Sequence, residues 1–284
     1  MKKKIFSGLG IAILLVVMLF VLTGCGKEED KKDEKVDKVS TTSKKEENVE
    51  NIVEQDTENK VDNEKIDSEK EEENMEEIDL NTFDFTAAAE KQFAMPEKGE
   101  TIAIMYVKGY GEMHMKFFEN VAPKAVENFV THAKEGYYDG LTFHRVINEF
   151  MIQGGDPEGT GMGGESIWGK GFGVELHPSL VPYRGSLCMA MSSLPDSIGS
   201  QFFITQAHYD EQMKETLEYY GYPIKLLEEY KNYGGYLSLY LQYTVFGQVY
   251  QGLDVLDKIA AVSTNGEDKP LEDVIIEKIE IKTY

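Results

Sequence analysis

The 284-residue chain has only two cysteines, Cys25 and Cys188. That is too few for a disulfide framework or a cysteine-rich zinc site. Cations are scarce as well: 29 Lys and Arg face 51 Asp and Glu, a formal charge of −22. Binding to a nucleic-acid backbone needs clustered Lys and Arg, so no nucleic-acid partner is expected. The five histidines, His114, His132, His144, His177 and His208, show no H-x-x-x-H spacing, so no metal site is expected. No serine sits in G-x-S-x-G, which leaves an elbow-type hydrolase unsupported. Gly159–Gly164 formally matches G-x-G-x-x-G, but the GESIWGKGFG around Trp168 cannot open the helix a dinucleotide site requires. No cofactor is expected.

What is present is unevenly distributed. The chain opens Met1-Lys2-Lys3-Lys4 and runs uncharged from Ile5 to Cys25. A basic start, an apolar stretch and small residues after it describe a secretory signal. Leu22-Thr23-Gly24-Cys25 resembles the lipobox of bacterial lipoproteins. That resemblance implies cleavage after residue 24 and lipidation of Cys25, which attaches the protein to the outer side of the membrane. Residues 27–80 carry 10 Lys, no Arg and 22 Asp plus Glu, with no Gly, Pro or aromatic residue. Such a segment buries too little apolar area to offset chain entropy. Residues 25–80 therefore read as a lipidated cysteine followed by a disordered, self-repelling tether.

Residues 81–284 read as one domain. Thr101–Val107 and Glu112–Phe118 alternate in strand fashion across Lys108-Gly109-Tyr110-Gly111, a hairpin signal. Pro123 suits a first helical turn, Val126, Phe129, Val130 and Ala133 repeat at helical spacing, and Gly136 fits the position after the helix. Short strands are predicted at 141–147, 150–153, 185–191, 201–205, 244–250 and 274–282, with a second helix at 253–261. Cys188 lies in apolar surroundings and reads as a buried, inert thiol. The Tyr- and Glu-rich stretch 207–242 reads as a helical insertion broken at Gly221 and Gly234. Phe83, Phe85 and Phe93 are expected to pack as an N-terminal arm, since exposing three Phe is costly. Many short strands with few helices suggest a mostly β fold, a barrel or a sandwich.

The chemistry-bearing strings are Phe143-His144-Arg145 with Phe150-Met151-Ile152-Gln153-Gly154-Gly155-Asp156, then Gly199-Ser200-Gln201-Phe202-Phe203-Ile204, then Val245-Phe246-Gly247. Together with the helix Ala122-Pro123-Lys124-Ala125-Val126-Glu127-Asn128-Phe129, and in this order, they resemble the cyclophilin family of peptidyl-prolyl isomerases. The resemblance implies a mostly β fold, a closed eight-stranded antiparallel barrel capped by two helices with 207–242 as a helical insertion, and it implies Arg145, Phe150 and Gln153 as catalytic residues. It implies Met151, Ala190, Met191, Gln201, Phe203, Leu239 and Tyr243 as substrate-contacting residues. The partners implied are proline-containing segments of exported proteins.

Period-two geometry adds a demand of its own. Phe150 and Met151 point to opposite faces of a regular strand, so both can line one pocket only if the chain bends near Glu149–Met151. Met191 replaces an amide usual in the family, and Tyr243 an imidazole. The family's loop tryptophan has no clear counterpart, so cyclosporin binding is not carried over. Met191, Tyr243 and the large insertion support a rival reading, a peptide-binding or chaperone module with weak or no turnover.

Overall fold

The computed structural model describes residues 78–284. The expected signal segment, Cys25 and most of the expected tether lie outside the described residues. The first element, α1 (Phe85–Phe93), is capped by Asp84, whose carboxylate accepts from the Ala87 N–H. The predicted hairpin forms as β1 (Thr101–Val107) and β2 (Gly111–Phe117), with Ile104 opposite His114. Helix α2 (Pro123–Lys134) carries Pro123 in its first turn, where a missing N–H costs nothing. It ends ahead of Gly136, in the left-handed region at φ 71°.

The remaining strands are β3 (Arg145–Ile147), β4 (Met151–Gly154), β5 (Ser186–Met189), β6 (Phe202–Thr205), β7 (Val245–Gln251) and β8 (Ile276–Thr283). Helices α3 (Met213–Tyr220) and α4 (Ile224–Tyr233) form the insertion, followed by a 3-10 turn at Leu237–Leu239; α5 is Leu253–Ala260. All eight strands join one antiparallel sheet in the order β3-β4-β6-β5-β7-β2-β1-β8.

The closed barrel is not what forms: the sheet is an open half-barrel. Its edges, β3 and β8, share no ladder. Across that gap the chain before β3 meets the chain before β8 through one isolated bridge, Thr142–Ile275. Residues 141–144 therefore do not extend β3 as the sequence suggests; their backbone turns toward Val274 and Ile276, where the Phe143 N–H donates to the Val274 carbonyl (2.9 Å) and the Leu141 carbonyl accepts from the Ile276 N–H (2.8 Å).

Alternation sorts the strands into two faces. Val146, Ile152, Phe202, Ile204, Leu187 and Met189 point inward and pack with Phe129 of α2 and Leu256 and Ile259 of α5. Met151, Phe203, Cys188 and Val245 point outward into a separate apolar cluster with Leu180 and Leu239. A third cluster joins α1 to the insertion: Phe85 and Ala89 are buried with Tyr183, Leu217, Leu226, Tyr230 and Tyr240. The N-terminal arm is thus a helix, and Phe93 stacks on Tyr233 at 4.1 Å and 12°. Buried Gln92 fastens it to the sheet, donating to the Val181 carbonyl (2.8 Å), Ser186 Oγ (3.1 Å) and Gln248 Oε1 (3.1 Å).

Candidate active site

Strand register builds the site. Arg145 on β3 is opposite Gln153 on β4, and Gln153 is opposite Phe203 on β6. The three residues form one row across the sheet's outer face, since paired positions point the same way. Met151 lies two residues from Gln153 and so shares its face. Phe150 reaches that face because Glu149 adopts φ 56°, breaking the strand just before β4. This is the bend the period-two pattern demanded.

The result is a cleft of about 330 Å³ lined by Arg145, Phe150, Met151, Gln153, Ala190, Met191, Phe203, Leu239 and Tyr243. The insertion's 3-10 turn delivers Leu239, and Tyr243 packs edge-on against Phe203 at 5.4 Å and 83°. Gln201 lines the adjoining hollow rather than the cleft. It is tied to the cleft by accepting from Gln153 Nε2 (2.9 Å) and donating to the Gly163 carbonyl (2.8 Å). Trp168 lies against Phe172 and is not among the cleft's lining residues.

Four cleft residues were not anticipated: His144, Thr160, Gly161 and Glu267. Thr160 and Gly161 come from the glycine-rich loop, which Asp156 organises. Its carboxylate accepts from the backbone N–H groups of Glu158 (2.9 Å), Thr160 (2.9 Å) and Gly161 (2.6 Å). Burial works against the charge, but these donors outweigh it and hold the carboxyl below its ordinary range. Gly155 is required for the same loop: at φ 87°, a Cβ there would stand 2.6 Å from the Ser200 carbonyl. Burial lowers the His144 pKa, with Asp156 opposing and Arg145 and Lys269 reinforcing.

Arg145 is half-exposed, its Nε 3.4 Å from the Asp268 carboxylate. The buried Cys188 thiol is pushed far up by desolvation, so it offers no thiolate nucleophile. A larger hollow of about 700 Å³ lies between α1 and β2. There Lys116 donates to the Lys91 (2.9 Å) and Ala94 (2.6 Å) carbonyls at the end of α1, a structural use of its charge. Among the described residues, the cleft sets the Arg145 guanidinium against an apolar recess and the Gln153 amide, an arrangement suited to holding a peptide while one of its bonds changes conformation.

Comparison with known proteins agrees. Residues 102–281 match the family model "Cyclophilin type peptidyl-prolyl cis-trans isomerase/CLD". A Staphylococcus aureus protein named for peptidyl-prolyl cis-trans isomerase activity is 48% identical over 187 residues, covering 66% of this chain and 94% of the relative. A Staphylococcus epidermidis protein named likewise is 49% identical over 173 residues, covering 61% and 87%. A Cryptosporidium parvum cyclophilin-type isomerase crystal structure superposes with a TM-score of 0.53 at 32% identity, covering 65% of this chain and 99% of that one. Another, solved in the presence of the dipeptide Ala-Pro, gives 0.53 at 33% identity, covering 64% and 99%. The chain belongs to the cyclophilin-type peptidyl-prolyl cis-trans isomerase family.

Proposed function

We propose that this isomerase works outside the cytoplasmic membrane, anchored through lipidated Cys25 and the acidic tether, on prolyl bonds of exported chains. Two acyl chains on one cysteine suffice for stable anchoring where one is marginal. The lipobox-like Leu22–Cys25 and the charge of the tether support this placement. Prolyl isomerisation takes tens of seconds unaided and can limit folding of a newly exported chain.

The observation that carries the chemistry is the Arg145 guanidinium beside the recess of Phe150, Met151, Phe203 and Leu239. The C–N bond resists rotation because of its double-bond character, about 18–20 kcal/mol. As it twists, conjugation is lost and the proline nitrogen regains a lone pair. Arg145 is the donor proposed to meet that lone pair, while the apolar walls take the pyrrolidine ring. The contact strengthens only in the twisted state, so it lowers the barrier rather than merely binding substrate. Gln153 is held by Gln201 and is the group proposed to fix the peptide backbone.

A protease-coupled assay with a proline peptide tests the activity on residues 78–284. Acceleration over background is expected. Met191 and Tyr243 line the cleft where the family usually has an amide and an imidazole, which favours a second reading as a peptide-binding module; binding without acceleration would establish it. Placement is tested by metabolic labelling with a fatty acid: label is expected on the wild type and none on Cys25→Ala. An unlabelled wild type would refute the lipid anchor.

A further inference from the structure

The insertion does more than border the cleft. The Tyr236 ring lies 4.3 Å from the Phe150 ring, tilted by 45°. Phe150 lines the proline recess, whereas Tyr236 lines a second hollow of about 400 Å³ with Glu149, His208 and Leu237. The two rings together form the wall between these spaces. Phe150 also follows directly on Glu149, whose left-handed backbone is costly for a residue with a Cβ. A side chain at such a bend, outside the ladder, needs support from elsewhere.

That support converges from the insertion and its root. The Phe150 carbonyl accepts from the N–H groups of Gln206 (2.8 Å) and Ala207 (3.4 Å), and Gln206 Oε1 accepts from the Glu149 N–H (2.8 Å). The Ala207 carbonyl in turn accepts from the Gly235 N–H (2.8 Å), and Tyr236 N–H donates to the Pro182 carbonyl (3.0 Å). Gly235 permits this close docking: at φ 121°, a Cβ there would lie 2.4 Å from the Pro182 carbonyl. Tyr236, a residue 36% exposed, is therefore fixed at its backbone while its ring leans on Phe150. Such a ring contributes little to the core but sits in the right place to fix a neighbour.

We infer that Tyr236 is a positioning residue for the isomerase, a buttress from the insertion that holds the Phe150 ring in place to receive the substrate proline. The inference rests on the reading of the cleft as the proline site. Phe150 meets the proline ring in the ground state and the twisted state alike, so misplacing it weakens both. The loss belongs in KM and in peptide affinity rather than in kcat.

The test compares Tyr236→Ala, Tyr236→Leu and Tyr236→Phe in the full chain, with Tyr219→Ala on exposed α3 as control. Tyr236→Ala should raise KM, and the Kd of a proline peptide, about two- to tenfold, the range of aromatic pair contacts. The kcat should stay near wild type, and the Phe150 ring resonances should shift in NMR spectra. Tyr236→Phe should keep wild-type KM and Kd, and Tyr236→Leu, which keeps apolar bulk, should fall between. Unchanged KM, Kd and Phe150 resonances in a folded Tyr236→Ala protein would overturn the buttress and leave the isomerase reading intact. An inactive wild type whose peptide affinity still falls in Tyr236→Ala would overturn the isomerase reading and uphold the buttress.

Discussion

Arg145 shows why a functional residue can be legible when its surroundings are not. Its row with Gln153 and Phe203 follows from strand register, and the Phe150–Met151 bend follows from period two alone. Thr160 and Glu267 reach the same cleft from loops far apart in sequence, and no local pattern brings such segments together. Arg145 itself is weakly tied to the protein, through one half-exposed pair with Asp268. Exposed pairs of that kind contribute about 0–1 kcal/mol. Arg145→Ala should therefore cost little stability. It should lower kcat/KM by about 10- to 100-fold, the loss of a charged hydrogen bond of about 1.5–3 kcal/mol. Arg145→Lys, which keeps the charge but loses the planar fork, should recover only part. Protease-coupled kinetics alongside thermal melts separate the two effects.

Among the elements, the strands were the most readable. β1 falls at Thr101–Val107, where alternation places it, and β2 differs by one residue at each end. Helix α1 was read only as an arm. Nine residues are too few to sustain a helix alone in water, so packing against the insertion decides its form, and that partner lies over a hundred residues away. The glycine-rich loop was readable as a loop, but its ordering by Asp156 was not. The Asp156 carboxyl is held below its usual range, so the stability it contributes is full above the unfolded-state pKa of about 3.9. That contribution is lost as pH falls further, through the folded-state value. Asp156→Asn should cost about 1–3 kcal/mol at neutral pH, because buried N–H groups lose a charged acceptor. Its melting temperature should also vary less than wild type below pH 4. Melts recorded from pH 7 down to pH 3 check both.

At the scale of the whole molecule, the half-barrel, α1 and the insertion are coupled through a few buried polar groups. Gln92 is the clearest: both ends of its amide are used, since its Oε1 also accepts from the Val181 N–H (3.1 Å). Gln92→Ala should destabilise the domain by about 1–3 kcal/mol, lowering the melting temperature by about 2–4 °C for each kcal/mol at this chain size. Calorimetry would check this; an unchanged melt would mean that Gln92 does not couple α1 to the sheet. Barrel closure was the part of the fold least readable from sequence. It depends on whether two segments over a hundred residues apart form a ladder or a single bridge, and both outcomes leave the same alternation in the strands.

Cys188 sits on β5 opposite Phe203, directly beneath the recess. A fragment beginning at residue 78 has no other thiol. That fragment is thus its own clock for breathing under the binding surface: a thiol-reactive dye can label it only when β5 becomes uncovered. Labelling should be slow in the free protein and slower still when a proline peptide occupies the recess above it. The sulfur would record ligand occupancy without any engineered reporter.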